Sequence, residues 1–256
     1  MKVAIIGGSG VYDPKFFTEE RVLNVSTPFG ITNDIIKGRF SGNEIYFLAR
    51  HGKKHEIPPH KVNYRANIYA LKHLGVDRII AINSVGAVNP EFKPGSFIVP
   101  HDILDFTKRR ASTFYDRKAV HIDMTEPYCP EIREAIIEAD SRKDIFKKGV
   151  YAIMEGPRFE TPAEIKMLST LGADLVGMTG MPEASLAREL EICYSAICIS
   201  TNFGAGIKSE KLTATEVIDI VKKAETELRE IIIETIKLIP EKRNCPCSRA
   251  LEGAEV

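Results

Sequence analysis

Five stretches of this sequence end an apolar run in small polar or basic side chains: Gly7-Gly8-Ser9-Gly10, Arg50-His51-Gly52, Asn83-Ser84, Gly177-Met178-Thr179 and Ser200-Thr201-Asn202. Their side chains suit two kinds of chemistry. Ser9, Arg50, His51, Asn83, Ser84 and Thr179 make an anion-binding set, in which a glycine turn offers backbone N–H groups and Arg acts as a bidentate clamp. Phe159, Glu160, Met178, Asn202, Phe203 and Gly204 make a flatter, semi-polar set suited to an aromatic heterocycle. Blander readings exist for each stretch. A tight turn explains the first as well as an anion cradle does, and a basic run such as Arg50 to His55 is ordinarily a solvated loop. What favours a ligand is position, because these groups cap apolar runs, and ligands of open α/β sheets sit at strand ends. The sequence contains no Gly-x-Ser-x-Gly elbow, no Walker loop, no cysteine with an obvious base partner and no cluster of metal ligands, so covalent hydrolysis is disfavoured.

The elements that position these groups read as an α/β alternation. Lys2–Ile6, Glu44–Arg50, Arg78–Ile82, Ser96–Pro100, Gly149–Met154, Gly172–Met178 and Ile192–Ile199 are strand-like, several of them apolar on both faces as in a buried parallel sheet. Helices are expected at 65–74, 131–139, 162–171, 184–190 and 214–239, the last capped by Thr213. In that last helix Val217, Ile220, Val221, Ala224, Leu228, Ile231 and Ile232 fall at helical spacing, and all are expected in the core. Residues 101–107 begin an irregular segment. Residues 107–130 read as a long loop carrying Arg109, Arg110, Tyr115, Asp116, His121, Asp123 and Tyr128, and such a loop is usually functional or engaged with a partner. The expected fold is a single α/β domain over 1–240, a mixed, mostly parallel twisted sheet flanked by helices, with a tail at 241–256.

At 256 residues, 44% hydrophobic and 27% charged, the chain is long enough for a sizeable core. Thirty-five basic residues balance thirty-five acidic ones, so no global field recruits nucleic acid or an anionic membrane. The chain opens directly on a strand, without a signal-peptide pattern, and no apolar run approaches a membrane span, so a cytoplasmic location is expected. It contains no Gln and is rich in Lys, Glu and Ile, a composition that leans towards a thermophilic source. Of its five cysteines, Cys129, Cys193 and Cys198 read as small core residues. Cys245-Pro246-Cys247 stands apart in the tail; one pair cannot complete a tetrahedral zinc site, and a disulfide is the alternative.

The motifs resemble one family, the trimeric purine nucleoside phosphorylases and 5'-methylthioadenosine phosphorylases. The resemblance runs over nearly the whole chain: Gly7-Gly-Ser-Gly10, Arg50-His-Gly52, Pro59-His-Lys-Val-Asn-Tyr-Arg-Ala-Asn67, Ser84-Val-Gly86, Glu126-Pro-Tyr-Cys-Pro130, Glu155-Gly-Pro-Arg-Phe-Glu-Thr161, Gly177-Met-Thr179, Pro182-Glu183 and Thr201-Asn202. It implies attack of inorganic phosphate, a co-substrate, on C1' of a purine nucleoside, with no cofactor. It maps the phosphate site onto Ser9, Arg50, His51, Asn83, Ser84 and Thr179, the ribose contact onto the Met178 backbone, and base stacking onto Phe159. Asn202 and His51 become the catalytic residues, with Asn202 donating to N7 of the leaving base. His121 matches a residue that reaches the neighbouring subunit's site, implying a homotrimer or a dimer of trimers.

The resemblance also bears on the base. Adenine-directed members carry Asp where this chain has Asn202 and Gly204, whereas 6-oxopurine enzymes carry Asn at 202 and Glu at 160, the Glu accepting from N1–H. This chain has the second pattern, which implies hypoxanthine or guanine as base. At the 5' side Ala214, Val217 and Ile218 stand where inosine-directed members often carry His, so the 5' substituent is read as hydroxyl or methylthio, with both open.

Overall fold

The computed structural model describes residues 1–8, 17–140, 144–208 and 213–255. In chain order the strands are β1 (Lys2–Gly7), β2 (Thr18–Leu23), β3 (Ser26–Thr27), β4 (Gly30–Ile31), β5 (Ile35–Phe40), β6 (Asn43–Ala49), β7 (Arg78–Ala87), β8 (Phe97–Ile98), β9 (Asp102–Asp105), β10 (Val150–Ile153), β11 (Leu175–Gly177) and β12 (Cys193–Phe203). The helices are α1 (Tyr64–His73), α2 (Pro130–Ala139), α3 (Pro162–Thr170), α4 (Gly180–Glu189) and α5 (Ala214–Leu238). Among the described residues ten strands form one mixed sheet, in the order β2-β5-β6-β1-β7-β11-β10-β9, with β12 also paired to β7 and β8 to β12. The pairs β6/β1, β1/β7, β7/β12, β11/β10 and β10/β9 are parallel, whereas β2/β5, β5/β6, β7/β11 and β8/β12 are antiparallel.

Strand alternation sorts the apolar residues into two layers. Val3, Ile5, Phe47, Ile80, Ile82, Ile197 and Ile199 pack in the layer holding α2 and α5. Ala4, Ile6, Leu48, Ile79, Ala81, Tyr194 and Ala196 pack in the opposite layer, with α1 and α4. Helix starts are chemically marked. Asn63 accepts from Ala66 N ahead of α1, and Thr161–Glu164 and Thr213–Glu216 form capping boxes on α3 and α5. No helix among the described residues is long and apolar enough to cross a membrane.

The structure corrects the expected elements in four places. β7 does not stop at Ile82 but runs to Ala87, because β12 and the antiparallel β11 both supply partners for Gly86 and Ala87. Residues 102–105, expected to be irregular, form the edge strand β9 on β10. The α5 stripe is buried only from Val221 onward; Ile220 is half-buried and Val217 likewise, so neither joins the core. The end of the chain is no loose tail: Cys245, Cys247 and Ala254 are buried, and Val120 bridges to Glu255.

Candidate active site

Sheet register brings the expected anion groups to one level. Gly7 pairs with Ala49 and Ile6 with Ala81, so the chain leaving β1 and β6 arrives beside Asn83. A Cβ on Gly8 would lie 2.5 Å from the Ile82 carbonyl and 3.3 Å from Arg50 Nη1, so only glycine lets the backbone pass there. Because β11 runs antiparallel to β7, the residues after it return to Asn83, and Thr179 Oγ1 donates to Asn83 Oδ1 at 3.0 Å. Arg50, His51, Asn83 and Thr179 are all buried. Ser84 is half-buried opposite Ile199 of β12. Ser9 lies outside the described residues.

Arg50 is held by a partner that sequence reasoning left unassigned. Its Nε and Nη2 donate to the two carboxylate oxygens of Glu183 at 2.5 and 2.9 Å, its Nη1 donates to the Ile82 carbonyl at 3.2 Å, and Tyr194 OH donates to Glu183 Oε2 at 3.0 Å. Burial opposes the Arg50 charge and the Glu183 carboxylate sustains it, leaving the guanidinium firmly protonated. Glu183 fixes the plane of the fork, and Nη1 is the nitrogen that lies nearest Gly8. The Pro182-Glu183 pair was the available signal. Arg110 is a second unassigned organiser: its Nη1 donates to the carbonyls of Met178 (2.6 Å) and Met181 (2.7 Å), and its Nη2 to that of Glu155 (2.8 Å). The long loop is thereby anchored to the segments after β10 and β11. Met178, expected to meet ribose through its backbone, has its carbonyl engaged by Arg110, and its sulfur covers Gly156.

His51 is not the cation its place in a basic run suggested. Burial, then the adjacent Arg50 charge, push its pKa down from 6.5 to about 3, so the ring is neutral near pH 7. Its Nδ1 lies 2.8 Å from the Ile57 carbonyl, which can only accept, so Nδ1 carries the hydrogen and Nε2 is left as an acceptor. A neutral buried histidine contributes stability that is fully present above its unfolded pKa and is lost as pH falls from about 6.5 towards 3. Thermal melts of the ligand-free protein are therefore expected to fall between pH 7 and pH 4.5, and His51→Gln should flatten that fall. An unchanged pH profile in the variant would show that His51 takes up its proton as readily in the folded chain as in the unfolded one.

About three strand residues beyond Asn83, on the order of 10 Å away, lies the second level. Asn202 stands opposite Gly86 just past a register shift in β12, and a Cβ on Gly86 would meet Asn202 Nδ2 at 3.2 Å. The Asn202 amide is oriented by its neighbours. Its Nδ2 donates to the Phe203 carbonyl at 2.9 Å and its Oδ1 accepts from Thr201 Oγ1 at 2.9 Å. A carbonyl cannot donate, so the NH2 end must face Phe203, and it keeps a second hydrogen for a ligand. Gly204 and Gly206 pack against α3: a Cβ on Gly204 would meet Ile165 at 2.9 Å and the Ala87 carbonyl at 3.1 Å, and one on Gly206 would meet Pro162 at 2.7 Å. A side chain at 204 would therefore have to displace Ile165 Cδ1 and press on the Ala87 carbonyl. Phe159 and Glu160 lie in the segment that leads into α3, the helix against which Gly204 and Gly206 pack. Phe159 is 38% exposed, and burial raises the pKa of Glu160.

A cavity of about 610 Å³ opens beside Asn202, walled by Pro90, Lys93, Phe203, Gly204, Glu216 and Ile220 among others. Arg50, Asn83 and Thr179 are not part of its wall; it adjoins the second level and the start of α5. Ala214 is exposed and Val217 half-buried on that helix, with Ile218 41% exposed. His121 is exposed and tied by its backbone N–H to the Ala254 carbonyl at 2.8 Å, so it is not gathered with the other expected residues in this chain. The cysteine reading also changes. Cys245 and Cys247, expected to lack further ligands, meet Cys129 and Cys193, whereas Cys198 lies apart, opposite Asn83.

Residues 2–237 match the family model of the phosphorylase superfamily. The chain is 51% identical to "6-oxopurine nucleoside phosphorylase" of Pyrococcus furiosus, over 99% of this chain and 98% of that protein. It is 52% identical to "Probable S-methyl-5'-thioinosine phosphorylase" of Methanopyrus kandleri, over 100% and 99%. Among solved structures, a methylthioadenosine phosphorylase from Schistosoma mansoni in complex with adenine superposes with a TM-score of 0.94 at 33% identity, covering 99% of this chain and 98% of that one.

Proposed function

Because the chain belongs to the phosphorylase superfamily, we infer that it cleaves 6-oxopurine nucleosides, inosine and guanosine, with inorganic phosphate, giving free base and pentose 1-phosphate. The observation that carries the base preference is the Asn202 amide, held so that it presents a hydrogen to a ligand, with a tightly packed glycine and no second acid at 204. Glu160, partly buried with a raised pKa, gains a partner from a base carrying N1–H. Adenine offers none.

In the reaction a phosphate oxygen bonds to C1' as the C1'–N9 bond breaks, and the base departs with the electron pair. The sugar passes through an oxocarbenium-like state stabilised by the phosphate beneath it. Arg50, aimed by Glu183, holds that phosphate with Asn83, Ser84, Thr179 and Ser9. His51 Nε2 accepts a hydrogen from a protonated phosphate oxygen or a sugar hydroxyl. Asn202 donates to N7, where charge gathers. The rate comes from positioning and electrostatics, so neither a cofactor nor a nucleophilic side chain is assigned. In this reading the cytoplasmic chain forms a homotrimer or a dimer of trimers, and the exposed His121 completes a neighbour's pocket.

A second reading takes a 5'-methylthio group, with 5'-methylthioinosine as substrate. It is favoured by the apolar side chains left out of the core at the start of α5, where Ile220 lines the cavity and Val217 is half-buried. Base release from inosine should require phosphate, and kcat/KM should be higher for inosine and guanosine than for adenosine. Release without phosphate would make the chain a hydrolase. Adding methylthioinosine and methylthioadenosine to the series decides the 5' side: methylthioinosine ahead of inosine establishes the second reading.

A further inference from the structure

At the opposite end of β12 from Asn202, four cysteines converge. Cys129 is the residue before α2, Cys193 is the first residue of β12, and Cys245 and Cys247 flank Pro246 near the end of the chain. Their exposures are 1, 0, 6 and 2%. All four Sγ atoms lie within 4.8 Å of one another, and Cys193 and Cys245 are 3.3 Å apart. In a zinc tetrathiolate, Zn–S distances near 2.3 Å set the sulfurs roughly 3.8 Å apart, so the cluster has the size of that tetrahedron. All four sulfurs are free thiols.

The surroundings fit the charge such a centre carries. Four thiolates and one Zn²⁺ leave a net charge of −2, which is costly to bury without cations. Arg188 Nη1 lies 4.0 Å from Cys247 Sγ, and Arg188 also donates to the Glu126 carbonyl. Arg78 is fully buried and is the cross-strand neighbour of Cys193. Its Nη atoms are engaged by Asp77 and the Pro240 carbonyl, but its Nε has no hydrogen-bond partner among the described residues. Two buried guanidiniums, one with an orphan donor, thus stand beside four sulfurs.

We propose that Cys129, Cys193, Cys245 and Cys247 bind one Zn²⁺ that pins the end of the chain to the starts of α2 and β12. Binding releases the four thiol protons to solvent and changes no oxidation state. Four protein ligands close the coordination sphere, which makes the site structural. The nine residues from Cys193 to Asn202 put it on the order of 30 Å from the base pocket. The role is therefore independent of the substrate reading.

The full chain, purified without chelator and analysed for metals, is expected to hold about one zinc per chain. Cobalt exchanged into it should give the thiolate charge-transfer and d–d bands of a tetrahedral sulfur site. The Cys245→Ser/Cys247→Ser double variant should lose the metal, while Cys198→Ser, outside the cluster, keeps it. If the double variant does not fold, metal content and cobalt spectrum of the parent chain decide alone. A metal-free chain that takes up no added ZnCl2 overturns the proposal. So does a denatured, unreduced chain whose mass is lower by the hydrogens lost to disulfides, and so does iron in place of zinc.

Discussion

Glu183→Gln is expected to lower the melting temperature by on the order of 10 °C and the kcat/KM for phosphate by about a hundredfold. Arg50 is fully buried, and Glu183 takes both Nε and Nη2. Removing the carboxylate's charge leaves an unpaired guanidinium in the interior, a loss of about 3–5 kcal/mol. At about 2–4 °C per kcal/mol for chains of this size, the melting shift follows. The activity loss has a different origin. Gln can still accept one hydrogen bond but turns an N–H2 towards the fork, and a misplacement of about 1 Å in a positioning group costs about a hundredfold. The KM for phosphate should rise more than that for the nucleoside, which a merely structural role would not produce. Arg50→Met/Glu183→Met should melt above Glu183→Gln, since no lone charge remains, while staying inactive. A Glu183→Gln enzyme melting within about 2 °C of the parent would show that the pair does not hold the Arg50 charge.

Much of this site is local in sequence and some is not. Helices α1, α3 and α5 are legible from their spacing because caps such as Thr161 and Thr213 act on residues three positions away. The polar end after β6, Arg50 and His51, is readable for the same reason, since an apolar run must stop where polar groups begin. What the sequence hides is pairing. Nothing near Asn83 says that β11 will run antiparallel to β7 and return Thr179 to it, and so the apolar run by itself ends β7 at Ile82. Glu183 lies 133 residues from Arg50 and the two meet only in the fold. Cys129 and Cys193 read as core residues because burial is a local preference, whereas their meeting with Cys245 and Cys247 depends on where the chain's end packs. The first turns of α5 show the converse: helical spacing marks Val217 and Ile220 as core, but the helix leaves both half-buried, with Ile220 lining the cavity.

Asn202 is where the substrate reading is most exposed to test. Asn202→Ala is expected to lower kcat on inosine by about 10²–10³ while leaving the nucleoside KM close to its original value, because a donor to N7 acts mainly once charge has gathered there. Asn202→Asp tests selectivity. In place of Nδ2 it sets a carboxylate oxygen against the Phe203 carbonyl at about the present 2.9 Å, and two acceptors at that distance force the new acid to keep its proton. The acid has a single proton, and as charge gathers on N7 of adenine it can pass that proton from the Phe203 carbonyl to N7, a transfer the amide cannot make. The ratio of kcat/KM for adenosine over inosine should therefore rise by about tenfold, the worth of one well-placed hydrogen bond. It should not invert, because in the proposed base pocket Glu160 would still face the bare N1 of adenine, and position 204, a tightly packed glycine, supplies no second acid. An unchanged ratio would mean that position 202 does not meet the base, and the 6-oxopurine assignment would lose the residue on which it rests.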